Sequence, residues 1–308
     1  MKVTRDFIRT SDDHEIYYEV YEPRNPQKHV HILHGMAEHI GRYEEFARFL
    51  AKQGFVVSGH DHRGHGRTAE RNGVKGFFSE QNGFEQVVED AEHVITNIRS
   101  RVGNLPMVLL GHSMGSFIAR RYIQLNSSRR ELCRVLLSGT RGAPGVEGKA
   151  GLALASMLSK VKGKDVQSPL LGALTVGGFI REFKDEGSKF AWLTSDKKEV
   201  EKYEKDPMSG FASTTQFYVD LLEGLEVIHK KEEIDKIRKD LPVLLISGAR
   251  DPVGNNGKGV FSSARQYQKA GMTNVMVYLA EDGRHELLHE KNKYKHFHTF
   301  AEWMAQDD

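Results

Sequence analysis

One serine in the chain sits between two glycines, in Gly111-His112-Ser113-Met114-Gly115. An apolar run, Met107-Val108-Leu109-Leu110, comes before it, and a helix-compatible run, Ser116 to Tyr122, follows. A strand that turns sharply into a helix strains its apex and lifts the apical side chain out of the sheet. The residues two positions either side must then lack a Cβ, which is the logic of the G-x-S-x-G nucleophile elbow. With 30 glycines in the chain the pentapeptide alone is a weak signal. The strand before it and the helix after it supply its confirming context. The competing reading is a glycine-rich turn whose serine merely caps the helix.

A serine hydroxyl attacks poorly near neutral pH. It needs a general base, and the base needs an orienting acid. On a fold of this kind the acid follows a later strand and the histidine comes last. The run Val243 to Ser247 is followed by Gly248-Ala249-Arg250-Asp251-Pro252, and Val275 to Leu279 by Glu281-Asp282-Gly283-Arg284-His285. Asp251 and His285 are therefore the candidate acid and base, both at strand ends. Asp282 and His289 are the alternatives; the first is too near His285 in sequence to brace it, and the second falls on the last helix. Acyl transfer also requires two donors for the developing oxyanion. The candidates are the backbone N–H groups of Met114, next after the serine, and of Met36, in the glycine-containing loop after an early strand.

The elements that must position these residues alternate. Glu15 to Tyr21, Val30 to Leu33, Phe55 to Ser58, Met107 to Leu110, Leu132 to Leu137, Val243 to Ser247 and Val275 to Leu279 read as strands. Between them lie helical stripes. One is Tyr43, Phe46, Ala47 and Leu50; another is Val87, Val88, Ala91, Val94 and Ile95. This pattern predicts a mostly parallel sheet with helices on both faces. In such sheets ligands bind beyond the carboxyl ends of the strands, where Ser113, Asp251 and His285 all fall.

One stretch breaks the alternation. No sheet strand is evident from Leu137 to Leu241, so residues 139–225 are expected to form a helical cap inserted into a core of residues 1–138 and 226–308. Within it Leu154, Met157, Leu158 and Val161 recur at helical spacing. Leu154 and Leu158 are expected to face the substrate. Lys160, Lys162 and Lys164 follow closely, which suggests a transient contact with a membrane surface; a solvated basic face is the plainer alternative.

Bulk composition excludes several classes. Net charge is +2, with 44 Lys and Arg against 42 Asp and Glu, so nothing points to nucleic acid. The single cysteine, Cys133, lies in a strand, reads as an inert thiol, and fits a reducing compartment. No run reaches the ~18 consecutive apolar residues that span a bilayer. The N-terminus lacks the apolar region of a secretory signal. A soluble, cytoplasmic protein is expected. His60, His62 and His65 with Asp61 could suggest a metal site. The glycines and arginines among them make the segment a turn instead, and no metal is expected.

The segments 31–43 (HILHGMAEHIGRY), 59–68 (GHDHRGHGRT), 109–116 (LLGHSMGS), 247–253 (SGARDPV) and 283–290 (GRHELLHE) together resemble the α/β-hydrolase fold serine hydrolases, specifically the monoacylglycerol lipase and lysophospholipase group. Residues 192–211 resemble that group's cap. The resemblance implies an eight-stranded core, a cap over the site, no cofactor, and a serine esterase acting on lipid monoesters. Short-chain esters and thioesters remain alternatives, as does a catalytically silent ligand-binding protein on the same scaffold. Residues 142–190 match no motif of the group.

Overall fold

The computed structural model describes residues 1–306. The strands are β1 (Lys2–Arg9), β2 (Glu15–Glu22), β3 (Lys28–Leu33), β4 (Phe55–His60), β5 (Met107–His112), β6 (Leu132–Ser138), β7 (Val243–Gly248) and β8 (Val275–Ala280). They form one sheet in the order β1-β2-β4-β3-β5-β6-β7-β8. Only β2 runs against its neighbours; the pairs from β4 through β8 are all parallel. This is the mostly parallel sheet with helices on both faces that the alternation predicts, with the eight strands that the resemblance implies.

The helices of the core are α1 (Glu44–Ala51), α2 (Gly66–Asn72), α3 (Gly83–Val102) and α4 (Met114–Asn126). The stretch between β6 and β7 holds α5 (Gly145–Lys162), α6 (Pro169–Glu182), α7 (Lys197–Lys205), α8 (Thr215–Ile228) and the short α9 (Lys231–Ile234). After β7 come α10 (Lys258–Lys269) and α11 (Lys293–Ala305).

Period-two alternation in the central strands divides the core. Leu109, Val135, Leu137, Val243 and Leu245 pack with α3, α4, α8 and α10. Val108, Leu110, Leu136, Leu244 and Ile246 pack with α1 and α11 on the opposite face. Both faces are covered, so these strands are apolar throughout. The stripes read in α1 and α3 are the buried ones.

The inserted stretch contains no strand of the sheet, only the isolated bridge Gln167↔Thr214. Its last long helix, α8, packs on α5 and also on α3 and α4. The expected domain boundary at 225/226 therefore falls inside a helix shared by cap and core.

The candidate active site

At the end of β5 the chain turns through Ser113, whose φ of 51° and ψ of −119° are strained for a residue with a side chain. Its N–H donates to the Ser138 carbonyl of the neighbouring strand (2.8 Å), which pins the turn. The flanking glycines are sterically required. A Cβ on Gly115 would lie 2.0 Å from the Leu33 carbonyl oxygen, and one on Gly111 would lie 2.3 Å from the Gly115 carbonyl oxygen. The helix α4 begins at Met114, so the Met114 N–H is one of its free first-turn donors.

The strand ends β7 and β8 bring the other two residues in. Ala249 N–H donates to Ala280 O (2.8 Å) and Arg250 N–H to Gly283 O (3.0 Å), zipping the two loops together. Asp251 Oδ1 and His285 Nδ1 are 3.0 Å apart, with both side chains buried. Asp251 also accepts from the Ser247 hydroxyl (2.8 Å) and the Val253 N–H (2.9 Å). Burial pushes the Asp251 carboxyl up, but His285 and these donors outweigh it and hold the group below its usual value. Burial likewise lowers His285, and the Asp251 charge reverses that, leaving the imidazole above its usual value. With Nδ1 held by Asp251, Nε2 is left as the nitrogen available to a reactant. Ser113 and His285 line the same cavity.

The alternatives lie elsewhere. Asp282 is exposed. His289 sits on a 3₁₀ turn, with Nε2 3.2 Å from the Arg42 carbonyl and Nδ1 3.4 Å from Glu286.

The loop after β3 brings Met36 to the same place. Met36 lines both lobes of the cavity at Ser113. The Gly35 N–H is already engaged by Glu38. Ala37 has a left-handed φ of 52°. Its carbonyl accepts from the Tyr203 hydroxyl (2.8 Å) and from the Gly210 N–H (2.9 Å), both in the inserted stretch.

A buried ionic group beneath this loop went unassigned in the sequence. Arg42 forks onto Glu286 with two bonds of 2.7 Å and also pairs with Glu38. Glu38 accepts from the Tyr43 hydroxyl (2.8 Å) as well. Burial pushes the Glu286 carboxyl up, yet Arg42 holds it far below its usual range. The group ties the Met36 loop to the residue next to His285. Glu38, Arg42 and Glu286 lie within quoted motifs; the Glu38–Arg42 pair is four residues apart, but Glu286 is 244 positions from Arg42 and cannot be read from spacing.

The cavity at Ser113 has two lobes. The larger, about 310 Å³, includes His285, His112, Glu38 and Glu286 on one side and Ile180, Phe190 and other cap residues on the other. The smaller, about 80 Å³, runs between Met114, Phe117, Phe179, Leu221 and Leu225. Trp192 lies at both, with its ring 5.1 Å from that of His285.

The expectation for Leu154 and Leu158 is corrected. Neither lines a lobe; both pack into the core cluster that holds α8, and Leu158 is 9 % exposed. Met157 and Val161, from the same apparent stripe, are 53 % and 77 % exposed. The inward face of α5 meets α8, and α6 with the segment around Trp192 covers the site instead.

The histidines of the 60–65 turn are structural in their bonding. His60 Nδ1 is 3.0 Å from His31 Nε2, His62 Nε2 is 3.2 Å from the His34 carbonyl, and His65 Nδ1 is 2.8 Å from the Arg63 carbonyl. Asp61 accepts from the Ile40 and Arg67 N–H groups. Among the described residues no group of three or more His, Cys, Asp or Glu could hold a metal ion.

Similarity to known proteins agrees with this arrangement. The chain is 28% identical over 295 residues to the monoglyceride lipase homolog of Monkeypox virus, covering 92% of this chain and 91% of that one. It is 25% identical over 305 residues to the monoglyceride lipase of Homo sapiens, covering 96% and 88%. A thermostable carboxyl esterase from Bacillus coagulans superposes with a TM-score of 0.88 at 25% identity, over 99% of this chain and 98% of that one. Residues 24–292 match the family described as serine aminopeptidase, S33, and the chain belongs to that family of α/β hydrolases.

Proposed function

We propose that the protein is a serine carboxylester hydrolase that cleaves lipid monoesters, with Ser113 as nucleophile, His285 as general base and Asp251 as its orienting acid. The observation that carries this reading is the bonded Asp251–His285 pair facing, across one cavity, a serine held on a strained elbow. The relatives described as monoglyceride lipases support the substrate class.

In this mechanism Ser113 Oγ attacks the ester carbonyl as its proton passes to His285 Nε2. Asp251 stabilises the imidazolium. The N–H groups of Met36 and Met114 hold the oxyanion. When the C–O bond breaks, His285 returns the proton to the departing alkoxide. Water then attacks the acyl-enzyme, again through His285, and releases the acid and Ser113. No step calls for a cofactor.

The leaving alcohol has to sit beside His285, its proton donor. That places it in the larger lobe, where His112, Glu38 and Glu286 are polar residues in an otherwise largely apolar lining. The smaller lobe lacks His285 and is lined mainly by apolar side chains, with Arg141 and Thr175 among them, so it is assigned the acyl chain. The test is hydrolysis of an acylglycerol series and p-nitrophenyl esters, alongside covalent labelling by a fluorophosphonate. Labelling at Ser113 with turnover of monoacylglycerols is expected. A chain that is neither labelled nor active on any ester would overturn the reading.

We also infer a transient contact with lipid surfaces through the cap, and action in the cytoplasm. Val146, Met157 and Val161 on α5 and Leu170 and Leu174 on α6 are exposed apolar residues, and Lys160 and Lys162 stand beside them. Among the described residues no helix is long and apolar enough to cross a membrane. Co-flotation with anionic vesicles, lost in Val161→Asp with Leu174→Asp, checks the contact. The single cysteine supports the cytoplasmic assignment.

A further inference from the structure

The acyl lobe has one feature that an aliphatic chain does not explain. Arg141, three residues beyond the end of β6, lies on its wall among Phe117, Leu222 and Leu225. Its guanidinium has no hydrogen-bond or ion-pair partner among the described residues. The acid that acts on it through space, Glu147, is exposed and beyond ion-pair distance. Close by, Arg120 is completely buried and also lacks a carboxylate partner among the described residues. Its guanidinium donates to the Arg141 carbonyl (3.0 Å) and to the Ser263 hydroxyl (3.3 Å), and lies 3.3 Å from His229 Nδ1. Its Nε–H has no acceptor. Burial, reinforced by Arg120, drives the His229 imidazole down to about 3, so it stays neutral and adds no charge.

Arg141 thus stands half-buried at the cavity with nothing of opposite sign paired to it, while Arg120 lies behind it, outside both lobes, with its guanidinium over the Tyr267 ring. Arginine does not shed its proton in proteins. Charges taken out of water are ordinarily paired, because an unpaired one is costly. Elsewhere in this chain the rule holds: Arg42, Arg63 and Arg284, all largely buried, each have a carboxylate partner. Arg99 and Arg120, which have no carboxylate, at least donate to carbonyl oxygens, whereas Arg141 at the wall of the acyl lobe has neither kind of partner among the described residues.

We propose that Arg141 binds a carboxylate carried on the acyl group, so that the preferred esters include monoesters of dicarboxylic acids. The proposal rests on Ser113 being the nucleophile. It makes Arg141 a specificity determinant whose planar fork matches a carboxylate with two N–H bonds.

The test compares p-nitrophenyl monoesters of dicarboxylic acids, from succinate to sebacate, with their methyl diesters of equal length. For at least one length the free carboxylate should raise kcat/KM by about tenfold or more over its methyl ester. That preference should shrink as salt is raised, disappear in Arg141→Leu and persist in part in Arg141→Lys. An unchanged circular dichroism spectrum and urea midpoint show that both variants fold. Equal or better turnover of the methyl diester at every length in the wild type overturns the proposal without recourse to any variant. So does a carboxylate preference that survives Arg141→Leu. In either case continued cleavage of monooctanoylglycerol leaves the Ser113 reading standing, whereas loss of all ester hydrolysis removes both.

Discussion

The hydroxyl of Tyr203, in the inserted stretch, bonds the carbonyl of Ala37 at 2.8 Å, one residue from the Met36 amide proposed to hold the oxyanion. Ala37 is in a left-handed conformation that costs a non-glycine residue energy, so something must hold it there. Tyr203 and the Gly210 N–H hold it from above, and Glu38 with Arg42 holds the loop from below. The inserted stretch therefore holds the conformation of the loop that carries Met36.

Tyr203→Phe should lower kcat by about tenfold while changing KM little. Loss of an oxyanion donor outright costs ~10²–10³-fold, and here the donor is only loosened. Rates with monooctanoylglycerol and p-nitrophenyl acetate should fall together. A change confined to the long substrate would make Tyr203 a binding residue instead.

Ser113→Ala should reduce turnover by about 10⁴-fold or more, with an unchanged circular dichroism spectrum. Gly115→Ala should act differently, because its Cβ would lie 2.0 Å from the Leu33 carbonyl and force the elbow apart. Its cost is about 1–3 kcal/mol or more in urea denaturation, with activity lost as well. A Gly115→Ala protein of wild-type stability and rate would contradict the elbow geometry.

Activity should fall as pH drops through the His285 titration. The free base is the active form, and Asp251 holds the imidazole above the ordinary histidine value. The acid limb of the kcat/KM profile should accordingly have its midpoint above 6.5. In Asp251→Asn the midpoint should move down and the plateau collapse. An acid limb well below 6.5 in the wild type would exclude the pairing as drawn.

Stability should have its own acid limb. Burial drives His29 and His60 down to about 3, and His65 to about 4. These rings are neutral when folded but take protons below about 6.5 once unfolded. The unfolded chain therefore binds more protons as pH falls, and stability drops with it. Each of His29 and His60 should cost about 2 kcal/mol between pH 7 and pH 5. Urea midpoints at those two pH values measure it; equal midpoints would mean the rings are charged or hydrated in the folded state.

Leu158→Ala should destabilise the fold by about 2–3 kcal/mol and leave the ratio of long-ester to acetate hydrolysis unchanged. Its side chain fills the α5–α8 contact and touches neither lobe. A selective loss on long esters would return it to the substrate side.

Much of the site was legible because local backbone chemistry demands particular residues. Gly111 and Gly115 are there because any Cβ would collide, so the elbow announces itself in five letters. Asp251 and His285, which the structure brings within 3.0 Å, each lie just past an apolar strand, a position legible in the sequence. The strands themselves are buried on both faces and read as unbroken apolar runs. The cap was harder. In α6 the run Leu-Gly-Ala-Leu-Thr-Val-Gly-Gly carries no regular stripe, and its lining role comes from where it is placed. In α5 a helix face packed on another helix has the same spacing as one facing a ligand, which is how Leu158 misled. Arg42 and Glu286 meet across 244 positions, and no local pattern encodes that.

The helix α8 is rooted in both layers, with Phe217, Leu221, Leu225 and Ile228 in the same apolar cluster as Val87 and Ile118. A lid hinged at both ends can swing as a body; one riveted along fourteen residues cannot. Any movement that widens the site therefore falls to the lighter pieces ahead of the rivet, α6 and the turns on either side of it. Grafting another protein's lid onto this scaffold would have to keep α8 and exchange only what precedes Thr215.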